Sequence, residues 1–178
     1  MKKILALLLI TIILSSCEKD DICADESTPR LILEFYDVSN PSTLKSVLNL
    51  KVKGDGAPDF IVFNAALPAT DPNRYLFNGN KLALPLKIDG TTTKYSLVLN
   101  STNVTAANED FLQFNYTSQN VFVSRACGYK TIFQLDSPVA IIVTDEETPE
   151  SFWIQNDNIN VQNYSIITEN EAHVKILF

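Results

Sequence analysis

Leu112-Gln113-Phe114-Asn115-Tyr116-Thr117 sets an apolar or aromatic side chain at every second position and a polar one between. Side chains of an extended chain point alternately to opposite faces, so this hexapeptide makes one dry face and one wet face. The same period recurs elsewhere. Leu48, Leu50 and Val52 alternate with Asn49, Lys51 and Lys53, and Leu82, Leu84, Leu86 and Ile88 alternate with Lys81, Ala83, Pro85 and Lys87. Near the C-terminus Ala172, Val174, Ile176 and Phe178 alternate with His173, Lys175 and Leu177. Less regular runs at 30–37, 58–64, 93–100, 120–125, 131–135, 139–144, 152–155 and 164–168 read as strands by their β-branched and aromatic content. Turn formers separate them, among them Asn40-Pro41, Gly54-Asp55-Gly56, Asp71-Pro72-Asn73, Asn78-Gly79-Asn80, Asp89-Gly90 and Asn156-Asp157-Asn158. Pro85 has no N–H to donate, which predicts an edge strand or a bulge there. Helix is expected for a single turn at most, at 41–47 or 106–111. These patterns predict an all-β protein, an antiparallel β-sandwich of roughly eight or nine strands, Ig-like in general architecture. An up-and-down barrel is the alternative.

The chain is 178 residues long, 46% apolar and 20% charged, which suits one globular domain. Its 21 acidic residues outnumber 14 basic ones, so no electrostatic attraction to nucleic acid is expected. The N-terminus carries an address. Lys2 and Lys3 precede the apolar run 4–14, too short for the roughly 20 residues that a membrane-spanning helix needs. A short cationic head with such a run reads as a secretory signal peptide. It ends in Leu14-Ser15-Ser16-Cys17, which resembles the bacterial lipobox, whose cysteine receives a diacylglycerol. The expected organisation is therefore a signal peptide at 1–16, a lipidated acidic tether at 17–28 and a β-sandwich domain at 29–178. Loss of residues 1–16 removes two lysines and no acid, leaving 12 basic against 21 acidic residues and a net charge of −9.

Glu18-Lys19-Asp20-Asp21 follows the cysteine, and its Lys19, Asp20 and Asp21 resemble the surface-export signal of Bacteroidetes lipoproteins. A plain solvated tether is the alternative. Acylation would consume one of the three cysteines. The remaining two, Cys23 and Cys127, are expected to form a disulfide in an oxidising compartment, with two separate thiols as the alternative.

Three stretches carry a wider resemblance: Cys17-Glu18-Lys19-Asp20-Asp21-Ile22-Cys23, Ser124-Arg125-Ala126-Cys127-Gly128-Tyr129-Lys130-Thr131-Ile132-Phe133, and Glu169-Asn170-Glu171-Ala172-His173-Val174-Lys175-Ile176. In order and separation they resemble a family of small Bacteroidetes lipoproteins built on a domain of unknown function, number 6452. The resemblance implies lipoprotein export and a β-rich domain. It supplies no catalytic residues.

Chemistry is sparse. His173, the single histidine, falls on the polar side of the last alternation, and no Gly-x-Ser-x-Gly motif accompanies it. A surface or hydrogen-bonded structural role is expected for it. Zinc lacks ligands, and acidic turns at Asp55 with Asp59, at Asp145-Glu146-Glu147 and at Asp157 are weak candidates for calcium. No metal or cofactor is expected. Phe122, Tyr129 and Trp153 are candidates for a carbohydrate platform, with core packing expected for most of them. Arg125 is a candidate for binding an anion or pairing with a carboxylate.

These readings predict a non-enzymatic binding or structural module, held on the outer membrane through acylated Cys17 and exposed at the cell surface, with a periplasm-facing placement as the alternative. The expected partners are the lipid bilayer and an envelope protein or glycan. A glycan-binding module is the second reading and a hydrolase the third.

Overall fold

The computed structural model of the chain describes residues 23, 27–145 and 151–178. Eleven strands run in chain order: β1 (Leu31–Tyr36), β2 (Val47–Gly54), β3 (Phe77–Gly79), β4 (Lys81–Leu84), β5 (Thr92–Leu99), β6 (Asn108–Ser124), β7 (Gly128–Leu135), β8 (Ile141–Thr144), β9 (Ile159–Val161), β10 (Ser165–Ile166) and β11 (Val174–Leu177). The helical content among the described residues is two single 3-10 turns, Pro72–Tyr75 and Asn156–Asn158. No helix there is long and apolar enough to cross a membrane.

The strands form two open sheets. One has the order β4-β1-β11-β9; the other has the order β10-β7-β6-β5-β2-β3, with β8 also pairing β6. Pairing is antiparallel except between β1 and β11, where Leu33 lies opposite Val174 and Phe35 opposite Ile176. Leu31, Leu33, Phe35, Leu82, Leu84, Val174 and Ile176 of the first sheet share one core with Val52, Leu97, Leu112, Phe114, Tyr116, Phe133 and Leu135 of the second. The two dry faces thus close on each other as a β-sandwich. Each of these large side chains contributes about 1.5–3 kcal/mol by leaving water. Beyond the two packed sheets, nothing in the pairing establishes an immunoglobulin-like connectivity.

The hexapeptide at 112–117 is the middle of β6, which spans 17 residues and absorbs the separately expected run at 120–125. Its two halves have different surroundings. Residues 108–115 pair with β5 on one edge, while the other edge pairs with β8 over 111–114 and then with β7 from Tyr116 onward. Asn115 shows how. Its N–H donates to the Ala140 carbonyl at 2.8 Å, and its carbonyl accepts from the Asp136 N–H at 3.0 Å, so residues 136–140 bulge outward and the ladder resumes at β8.

Other details depart from the alternation. Leu48, expected on the dry face, is 56% exposed, whereas Val47 and Leu50 are fully buried. A bulge causes this, because Val47 and Leu50 lie opposite Gly79 and Phe77, one residue out of step. Asn49 makes the bulge possible at φ 51°, a left-handed conformation that asparagine adopts more readily than most residues. Its N–H donates to the Asn78 side chain and its carbonyl accepts from the Ser101 hydroxyl.

The expected strands at 58–64 and 152–155 are irregular, and neither 41–47 nor 106–111 is helical. Ile61, Phe63 and Trp153 still pack against the core, so their apolar character reports burial rather than ladder pairing. The short strands β3 and β9 went unforeseen because three residues are too few to show a period. Pro85 follows the last residue of β4, which is an edge strand as its missing N–H demands.

Candidate functional site

Past Tyr116 the β6–β7 hairpin outruns the opposing sheet. Along β6 burial ends with it: residues 117–120 are all exposed, although 118, 120 and 122 continue the face that carries Leu112, Phe114 and Tyr116, while on β7 burial runs on to Phe133 and Thr131. The turn is Arg125-Ala126-Cys127, closed by Gly128 at φ 70°, a conformation that favours glycine. The Cys127 N–H donates to the Ser124 hydroxyl at 3.0 Å.

Phe122 and Tyr129 lie opposite each other across this hairpin, on the extended core face. Among the described residues no second sheet covers them there. Phe122 is 60% exposed and Tyr129 is 73% exposed, and their rings meet edge to face at 5.4 Å between centroids. For these two the expected core packing is wrong. The period placed them correctly on the dry face, but the strand runs on beyond the layer that would bury them. Trp153 stands apart, half-buried between Phe35 and Phe178, with its indole N–H donating to the Leu97 carbonyl at 3.2 Å. The three aromatics therefore form no common platform.

Cys127 is disulfide-bonded to Cys23, with their Cα atoms 4.9 Å apart. The N-terminal segment is held along β7 at a second point, where the Thr131 N–H donates to the Thr28 hydroxyl at 3.0 Å. At a third point Glu169 accepts from the Arg30 backbone N–H and, through both oxygens, from the Arg30 guanidinium. That pairing raises the arginine pKa and lowers the glutamate pKa, chiefly by side-chain hydrogen bonding. Both groups are partly solvated, so the pair ties down chain direction more than it adds stability. Cys17, Lys19, Asp20 and Asp21 lie outside the described residues.

Arg125 is exposed at the turn, and Lys130 follows Tyr129 on β7. Residues 117–135 contain no aspartate or glutamate, in a chain with 21 acids. The hairpin itself thus carries only basic charges beside its exposed aromatics, while the tether joined to it at Cys23 is acidic.

The buried polar groups serve the fold. His173 is 1% exposed, so its expected place on a polar face is corrected. It lies at a bend just before β11, where its Nδ1 accepts from the Ile32 N–H at 2.9 Å and its own N–H donates to the Ile32 carbonyl. Burial lowers its pKa, with a backbone hydrogen bond to Thr168 acting the other way. The imidazole is a neutral bracket between β1 and β11, in keeping with the expected hydrogen-bonded structural role.

Asp110 was not singled out in the sequence, although it lies two positions before Leu112 on the same face. It has no exposed surface, and its Oδ2 accepts from the Ile154 N–H at 2.6 Å. Its Oδ1 has no hydrogen-bond partner among the described residues. Burial pushes its pKa up to about 6, against the pull of the Ile154 and Trp153 backbone hydrogen bonds. It pins the irregular segment around 152–155 onto β6. Surface clefts near Arg30 and Glu169, near Pro138 and Tyr164, and between Gly54–Ala57 and Pro85–Tyr95 are lined without Asp110 or His173.

The cleft formed by Lys53, Asp55, Phe60, Glu109 and Phe111 is also without either of them. Lys51 and Lys53 lie over the Phe60 ring, and Lys94 lies over Phe111 at 4.5 Å, so cations already occupy the ring faces there. Among the described residues no group of three His, Cys, Asp or Glu side chains is placed to hold a metal ion. Asp55, Asp59, Asp145 and Asp157 belong to the described chain, whereas Glu146 and Glu147 lie outside it.

A family described as a family of unknown function (DUF6452) matches residues 49–178. Neither a curated protein nor a solved structure matches the chain.

Proposed function

The chain belongs to the DUF6452 family, and from that premise we propose that it is a non-enzymatic binding or structural module, anchored by acylated Cys17 to a bacterial outer membrane. The observation that carries this reading is the Cys23–Cys127 disulfide. It suits an oxidising compartment, and it engages two of the three cysteines, leaving Cys17 behind its Leu14-Ser15-Ser16 approach as the acyl acceptor. Two or three acyl chains, each burying many CH₂ groups at about 0.8 kcal/mol apiece, hold such a domain firmly.

A binding role rather than catalysis draws support from the buried polar groups. His173 and Asp110 are both engaged with backbone inside the sandwich, and among the described residues neither lines the four surface clefts named above. The partner in this reading is an envelope protein of neutral or basic character, since the chain without residues 1–16 carries −9. Loops suit it better than the β4 edge. Pro85 lacks a donor, and its carbonyl already accepts from the Tyr95 hydroxyl.

A glycan-binding module is the second reading, favoured by the exposure of Phe122 and Tyr129. Their 68° interplanar angle gives no flat shelf for a sugar ring, which places it second.

The test of the anchor is mass spectrometry of the mature N-terminus. It should begin at Cys17 with a diacylglycerol, and Cys17→Ala should leave the domain unattached to membranes. An N-terminus starting elsewhere, without lipid, would overturn the reading.

A further inference from the structure

The tether and the hairpin tip are joined at one point, and that point decides what the tip meets. Cys23 is six residues beyond Cys17 in the chain. Fully extended, six residues reach about 20 Å at roughly 3.3–3.6 Å each. Cys23 is bonded to Cys127, which lies in the turn of the β6–β7 hairpin. Whatever surface holds the acyl chains therefore lies within that reach of the tip.

We infer that the hairpin tip, presenting Phe122 and Tyr129 with Arg125 at the turn, is a membrane-contact surface that seats in the interfacial layer of the bilayer holding Cys17. The inference rests on the anchor reading above. Three features of the tip fit this occupant. Phe122 and Tyr129 are the most exposed aromatic side chains among the described residues, at 60% and 73%. Tyrosine, apolar along the ring and polar at its hydroxyl, favours the headgroup level, where one part is dry and another wet, and Phe122 adds apolar surface beside it. The second feature is charge. Residues 117–135 hold no acid, and Arg125 at the turn partly offsets the acidic residues that flank Cys23 in the tether, so the tip itself does not repel anionic headgroups.

The third is size. Two rings and a three-residue turn are far short of the ~1,200 Å² of total buried area that a stable protein–protein contact needs. A tethered tip needs little intrinsic affinity, because the anchor holds it at a high effective concentration near the bilayer. A second copy of the chain or a glycan would have to bind this small, bent surface without that help.

The experiment uses the full acylated chain, reconstituted in vesicles of phosphatidylethanolamine and phosphatidylglycerol that contain lipid brominated near the headgroup end of its acyl chains. Phe122→Trp and, separately, Tyr129→Trp place a reporter at the tip, and Trp153, half-buried in the sandwich, is the internal reference. Far-ultraviolet circular dichroism checks that each variant keeps its β signal. Brominated lipid should quench the added emission at either tip position and leave the Trp153 emission unchanged. Two reporters that stay unquenched in vesicle-bound, acylated protein would overturn the tip contact and leave the anchor standing. Shielding from aqueous iodide that fades as lipid dilutes the protein would assign the tip to a second copy and overturn it as well. A purified chain without diacylglycerol, which fails to float with vesicles, would overturn the anchor and the tip contact together.

Discussion

Asp110 extends the dry face of β6 by one more position, ahead of Leu112, Phe114 and Tyr116, and is as fully buried as they are. Water is the best solvent for its charge, so burial favours the protonated form and lifts its pKa from 3.8 to about 6. The folded state then binds more protons than the unfolded state between about pH 4 and 6, and this residue makes stability fall as pH rises through that window. His173 and Glu169, whose pKa values are lowered, act in the opposite sense. The contribution of Asp110 is therefore read from a difference. Asp110→Asn keeps an oxygen for the Ile154 N–H and cannot ionise. Denaturation at several pH values should show that wild type loses stability relative to the variant, by on the order of 2 kcal/mol, between pH 4 and pH 6. A constant difference across that range would mean that the carboxyl titrates normally. Period two carried a legible hint of Asp110, since counting back from Leu112 lands on it. The backbone N–H that it holds belongs to a segment more than 40 residues away, beyond the reach of any local pattern.

At the scale of elements, the β6–β7 hairpin is the part whose two ends differ most. Its base is core: Tyr116 donates its hydroxyl to the Lys87 carbonyl at 2.7 Å and stacks edge-on against Phe133. Its tip leaves Phe122 and Tyr129 exposed and is held to the N-terminal segment by the disulfide and by Thr28. The bridge spans 104 residues of chain, for which the loop-entropy model gives about 4–5 kcal/mol as an upper guide. The native state regains part of that when the N-terminal segment is released, so the loss should be smaller. Cys23→Ser with Cys127→Ser should lower the denaturant midpoint with no change in the far-ultraviolet β signal, because the sandwich core makes no use of either sulfur. Hydrogen exchange should accelerate at Thr131, whose N–H donates to Thr28, and stay slow at Phe114. Uniformly faster exchange through the core would show that the bridge holds the whole sandwich rather than one end of it.

For the whole molecule, the net charge and the tip point in different directions. The domain is acidic, while the hairpin residues 117–135 carry only cations among their charges. On the inference above, the hairpin turns this end of an acidic body toward the bilayer. On the reading proposed above, Lys19, Asp20 and Asp21 then decide which face of the outer membrane the protein occupies. Replacing all three by alanine should leave the protein membrane-bound but protected from protease added to intact cells. Equal cleavage of wild type and variant would reduce the stretch to a solvated tether. Crosslinking in intact cells tests the partner side of the same reading, with capture of a basic envelope protein as the expected outcome.

Local chemistry in the chain was enough to specify strands, their dry faces and the two-sheet class, because burial on one face imposes period two on neighbouring residues wherever a strand is long enough to show it. The family was likewise legible in short stretches such as Ser124-Arg125-Ala126-Cys127-Gly128-Tyr129. The ends of the layers were decided only in three dimensions. Phe114 and Phe122 lie on the same face of β6, yet one is fully buried and the other 60% exposed, because the opposing sheet stops between them. Leu48 points outward for a similar non-local reason, since its bulge depends on how Val47 and Leu50 align with Gly79 and Phe77. Alternation tells which way a side chain points; whether anything lies there to cover it depends on strands brought together from across the whole chain.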